Sequence, residues 1–203
     1  MAKRQPKKNI QQLVILGLLT AIMILMSVTS LGYINIGPLA ITLNVIPLGI
    51  AAVSAGPLGG AVIGAVFGLT SFLQSIGIGG PSGMGIITFA ISPVLTFIQR
   101  FVPRLLVGLI IGFLHKFLAE KLGKKTACFI TGFLAAFLNT VLFMSALVLL
   151  FGKTDYMQEL IAGRNIIVFI CTFVGVNAVF EMIASSLVTG AVGSALYRAK
   201  AIK

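Results

Sequence analysis

Of 203 residues, 58% are hydrophobic and only 9% charged, against about 25% charged in a soluble domain. Charges this sparse exclude a soluble globular protein. The net charge of +11 sits mainly at the ends of apolar runs, without the aromatic–basic interleaving of a nucleic-acid binder, and is assigned to topology signals facing anionic lipid.

The expected architecture is an all-α integral membrane bundle, one domain over residues 1–203, with a basic segment at 1–9 and six spans. Lys3, Arg4, Lys7 and Lys8 precede the first span, about residues 10–31. The run outlasts the roughly 7–15-residue core of a signal peptide and has no small-x-small cleavage site after it, so it is expected to be retained as a helix. Gly17 and Ala21 lie four apart and share a face, a pattern for close helix approach within the chain or between proteins.

The second span, about 42–54, is short and contains Pro47. It joins the third, about 57–77, through the turn "SAGPLG" at 54–59. Gly56, Gly60, Gly64 and Gly68 stripe one face of the third span and predict tight packing inside the bundle. Asn44 and Gln74 fall near the outer ends of these two spans. The segments "GYINIGPLAIT" (32–42) and "IGIGGPSGMGIITFA" (78–92) are expected as outer loops able to close over a ligand.

The fourth span, about 93–117, carries Arg100 and Arg104. At 1.5 Å per residue they lie about 10 and 16 Å below its start, on one helix face. Each charge costs at least ~2.5–3.5 kcal/mol at membrane depth and calls for the bundle interior and a partner. Three partners are open: an Arg104–Glu181 bridge, snorkelling of Arg100 to the interface, or an anionic ligand held by the planar guanidinium fork. Glu181, the one acid inside a span, cannot neutralise both arginines. His115, the lone histidine, falls at the inner end of this span and is assigned a boundary role.

Asn139 is midway along the fifth span, about 126–151. The loop "GKTDYMQELIAGRN" (152–165) leads into the sixth, about 165–196, with Asn177 one turn above Glu181 and a small-residue stripe of Ser186, Gly190 and Ser194. The four amides could bond other helices or, together, serve a ligand with hydroxyl and amide groups. Cys128 and Cys171 are expected as packing residues rather than a disulfide or metal pair.

Eleven basic residues fall on the side of the termini: the four at the start, Lys116, Lys121, Lys124, Lys125, Arg198, Lys200 and Lys203. Only Glu120 offsets them. Lys153 and Arg164 on the other side are balanced by Asp155 and Glu159, so both termini are expected in the cytoplasm. No GxxxxGK[ST], HExxH or GxSxG motif is present, and no clustered acids that would hold a catalytic metal. An enzyme is not expected, nor a cofactor or metal.

With the spans placed, the chain resembles the substrate-binding S components of energy-coupling factor (ECF) vitamin transporters over nearly its whole length. "VFGLTSF", the "SP" at 92–93 and "FVPRLLVGL" carry a likeness to the pantothenate-specific type. The resemblance implies a bacterial plasma-membrane subunit that binds a vitamin from outside. It also implies docking onto a transmembrane coupling subunit driven by two ATPase subunits, and toppling in the bilayer to release the cargo. Docking in the family uses small residues on the first helix, here Gly17 and Ala21, with glycine in place of the usual first alanine. Arg104, Arg100, Asn44, Gln74, Asn139, Asn177 and Glu181 become the candidate substrate residues. Pantothenate, with one carboxylate, two hydroxyls and one amide, suits them. Folate, pyridoxine and hydroxymethylpyrimidine components share the scaffold, and an ion-coupled carrier of a small organic anion is the other alternative.

Overall fold

A computed structural model of the chain describes residues 6–29, 32–35, 40–80, 82–163 and 165–202. The helices are α1 (Pro6–Val28), α2 (Val45–Ser75), α3 (Gly83–Ile91), α4 (Pro93–Leu122), α5 (Lys124–Phe151), α6 (Asp155–Ile161) and α7 (Ile166–Arg198). Among the described residues the fold is all-helical apart from a small antiparallel ribbon of β1 (Tyr33–Asn35) and β2 (Ala40–Thr42), in which Tyr33 pairs with Thr42. Among the described residues, α1, α2, α4, α5 and α7 are long and apolar enough to cross a membrane.

The stretch expected as a second and third span is one element interrupted at Gly56, where φ 67° and ψ −155° break the helix. Only glycine adopts that backbone cheaply, and Pro57 then starts a new helical arm in the position proline favours. Packing shows what the break does. Residues 49 and 53 lie beside 189 and 193 of α7, so the first arm descends with α7. Pro57, Gly60, Gly64 and Gly68 lie against Gly112, Gly108, Arg104 and Phe101, so the second arm runs back antiparallel to α4. We call the end holding Gly56, the α4–α5 connection and the close of α7 the base. The opposite end, holding the ribbon, α3 and α6, is the crown. Gln12 of α1 donates to the Ser54 carbonyl (3.3 Å), so α1 starts at the base, where α7 also ends.

Close approach sets the α2–α4 pairing. A Cβ on either Gly60 or Gly108 would collide with the other's carbonyl, so these backbones touch with no side chain between them. The sixth-span stripe packs inside the chain as well: Ser186 donates to the Phe129 carbonyl (2.9 Å), and Gly190 lies against the Phe129 ring. Between crown and base runs a fully buried apolar layer that includes Leu48, Ile63, Phe67, Val107, Ile111, Ala135 and Ala136. By contrast α1 hangs on the periphery, with Leu13, Val14 and Leu18 each more than 60% exposed. Nothing lies within 4 Å of where a Gly17 side chain would be, and Ala21 is exposed.

Two expected loops hold helices. Residues 78–92 contain α3, whose first turn is capped by Ser82 accepting from the Gly85 amide (3.2 Å). The loop at 152–165 contains α6, capped by Thr154, with Asp155 in its first turn and Ala162 in the left-handed conformation beyond its end. Both helices are short enough for local caps to define them. Of the outer segment 32–42, residues 36–39 lie outside the described residues, as do the basic residues Lys3 and Arg4, Arg164 and Lys203. Cys128 and Cys171 are both free thiols.

Candidate functional site

Near the crown, α4, α5, α7, the end of β2 and the start of α3 enclose a cavity. Its volume is about 90 Å³, several times the ~10–15 Å³ that one water needs. Of the seven candidate residues, Arg100, Arg104, Asn139 and Glu181 line it. Asn44 and Gln74 do not: both turn to α1, Asn44 Nδ2 donating to Ser27 Oγ (3.3 Å) and Gln74 Nε2 to the Ser27 carbonyl (2.8 Å). Asn177 is buried on α7 but is not part of the cavity wall.

The two arginines occupy different environments one turn apart, each only 4% exposed. Arg100 does not snorkel to the surface. Its Nη1 donates to Ser71 Oγ on α2 and its Nη2 to Ser82 Oγ at the start of α3, both at 3.1 Å. Ser82 thus caps α3 and holds Arg100 with one oxygen. The Arg104 guanidinium carbon lies 4.5 Å from the Phe67 ring centre and 4.7 Å from that of Phe143, a strong placement for a desolvated cation. Its Nη1 donates to the Arg100 carbonyl (2.8 Å). Pro103 between them removes the backbone bond to the Gln99 carbonyl.

Glu181 accepts the backbone amide of Thr42, tying the ribbon to α7 across 139 residues. The cavity wall therefore presents two guanidiniums, one carboxylate, the Asn139 amide and the Thr140 hydroxyl, with Phe143, Met144 and Val174 as apolar walls. Asn139 Oδ1 is buried and makes no hydrogen bond among the described residues. The same holds for both amide atoms of Gln99, fully buried beside Arg100. This wall suits the carboxylate end of a small polar molecule: the Arg104 guanidinium for the anion, an amide for a hydroxyl or amide, apolar contact for the rest.

Several residues of the wall, and Ser71 behind it, carry little sequence signal. Ser71 and Ser82 resemble any other small polar residue of a membrane helix or loop, and Thr42 contributes through its backbone. Phe143 lies one helical turn beyond Asn139, a spacing that could have pointed to it.

At the base, His115 is buried rather than at a boundary. Its Nδ1 pairs with Thr131 Oγ1 (2.8 Å) and its Nε2 with the Tyr197 hydroxyl (3.0 Å), joining α4, α5 and α7. A second cavity opens beside it; between the two lie the buried Val107 and Ile111 of α4, Ala135 and Ala136 of α5, and Ser185 and Thr189 of α7. Among the described residues no group of three or more histidine, cysteine or acidic side chains could hold a metal.

A family model described as ECF transporter, substrate-specific component, matches residues 11–193. No curated protein matches the chain.

Proposed function

The chain belongs to the substrate-specific components of ECF transporters, multi-pass membrane subunits that bind a transporter's substrate, and on that premise we propose that its cargo is a small organic anion, pantothenate first among the vitamins. The observation that carries this reading is the crown cavity, where the wall holds two guanidiniums against a single carboxylate. In a low-dielectric interior that excess of positive charge favours an anionic guest. Arg104, stacked between two rings, takes the carboxylate as a bidentate pair. Asn139 and Thr140 meet hydroxyl and amide groups. Arg100 serves as a positioning residue, fastening the start of α3 over the site through Ser82.

In this reading the chain makes six passes, because the reversal at Gly56 divides α2 into two arms. Both termini face the cytoplasm and the crown faces outward. Gly17 and Ala21, on the exposed face of α1, dock on the transmembrane coupling subunit, and two ATPase subunits supply the energy. The decisive experiment is mass spectrometry of the small molecule that co-purifies, followed by calorimetry with pantothenate. Pantothenate bound by wild type and lost in Arg104→Ala supports the assignment. A cationic or neutral vitamin bound equally well by both proteins overturns it.

A further inference from the structure

The base cavity is the larger of the two, about 570 Å³, and the transport reading makes no use of it. Its walls come from five places: Gln12 on α1, the corner at residues 52–56, the end of α4, the start of α5 and Tyr197 on α7. Two ammonium groups stand on these walls, Lys116 and Lys124, against one carboxylate, Glu120. Neither lysine is loosely placed. The Lys116 side chain packs on Gly56, its Cε 3.3 Å from where a Cβ would be, and Lys124 Nζ sits 5.1 Å from the Tyr197 ring centre. The Tyr197 hydroxyl is itself set by His115, which is anchored on Thr131. The Ser54 carbonyl, at the end of the descending arm, is already taken by Gln12.

We propose that this base cavity binds a phosphate group, bridged by Lys116 and Lys124, and that the group is the headgroup phosphate of an anionic membrane lipid. Lysine meets phosphate as a compact point charge and needs no planar geometry. Two ammoniums facing one cavity supply more positive charge than Glu120 removes. Lys121 and Lys125, exposed and close in sequence, add to the attraction for an anionic leaflet. The cavity also opens beside α1, whose exposed Leu13 and Val14 offer an apolar track for acyl chains. A free phosphate ion would share the lysines but not that track.

The test uses full-length protein in detergent, titrated with phosphatidylglycerol and followed by native mass spectrometry. Phosphatidylcholine serves as the lipid control and inorganic phosphate as the soluble competitor. Wild type is expected to retain one phosphatidylglycerol, and Lys116→Gln/Lys124→Gln to bind it at least 10-fold more weakly. Lys153→Gln, which removes a single positive charge at the crown, should bind like wild type. Both lysines are exposed, and a thermal melt of each variant checks folding. Displacement of the lipid by millimolar phosphate, with no preference over phosphatidylcholine, would keep the phosphate site but assign it to a soluble ion. Equal binding by the double variant and wild type, or no binding by wild type, overturns the site.

Discussion

Arg100 and Arg104 are one turn apart on one helix, yet their surroundings differ, and their removal is expected to have different effects. Arg100 is bonded to Ser71 and Ser82, so its removal should first loosen the crown. Arg100→Ala is expected to speed amide hydrogen exchange across residues 82–91 while α5 and α7 stay protected, read by mass spectrometry. Arg104 lies between Phe67 and Phe143 beside the cavity. Arg104→Ala should weaken pantothenate binding about 100-fold or more by calorimetry, the scale of two lost charge-assisted bonds at ~1.5–3 kcal/mol each. The protein should remain folded. Arg104→Lys should not rescue it, since an ammonium cannot form a bidentate pair. The arginines were legible in the sequence because charge in an apolar run is conspicuous. Their serine partners were not, because a hydroxyl costs little in a membrane helix and stands out nowhere. Asn44 and Gln74 were legible as buried amides, but nothing in the sequence says that both would turn to Ser27.

Among the elements, the contrast is between α2 and α1. The second arm of α2 meets α4 with backbone against backbone at Gly60 and Gly108. Neither helix can shift without losing its other contacts, so Gly60→Leu should prevent folding. Overpacking alone costs about 1–3 kcal/mol, and a clash with backbone is harder to relieve than one with a side chain. Loss of the monodisperse peak in size-exclusion chromatography is the readout. Gly17 has open space around it, so Gly17→Leu with Ala21→Leu should leave folding and substrate binding intact. Uptake into vesicles holding the full transporter should stop. The four-residue stripes were readable because their spacing is fixed by helix geometry. The helices α3 and α6 were not, because their 9 and 7 residues are too few to show a period, and their caps, Ser82 and Thr154, occur in glycine-rich or polar stretches that read as loops.

At the scale of the molecule, the reversal at Gly56 places the start of α1, the close of α7 and the α4–α5 connection at one end. Lys116, Lys121, Lys124, Lys125, Arg198 and Lys200 belong to that end, and Lys153, Asp155 and Glu159 to the other. The positive-inside asymmetry then predicts that the base faces the cytoplasm. In a Cys171→Ser background, a cysteine at position 153 should react with a membrane-impermeant thiol reagent added outside intact cells. A cysteine at position 200 should react only after lysis. The helical class was legible from hydropathy. The position of the reversal was legible too, from "SAGPLG", because a glycine followed by a proline marks where one helical arm can end and another begin. The separation of two cavities was not, since it depends on which faces meet in three dimensions.

That separation has an electrical meaning. From Arg104 to His115 along α4 is about 16 Å of helix, and the facing side chains there, Val107 and Ile111, have no exposed surface. Ala135 and Ala136 close the same layer from α5. Ser185 and Thr189 of α7 lie against Gly132 at this depth, but they too have no exposed surface, so the packed layer leaves no room for a wire of water. The chain alone is therefore expected to insulate: vesicles carrying it without its partners should keep a proton gradient as long as empty vesicles do.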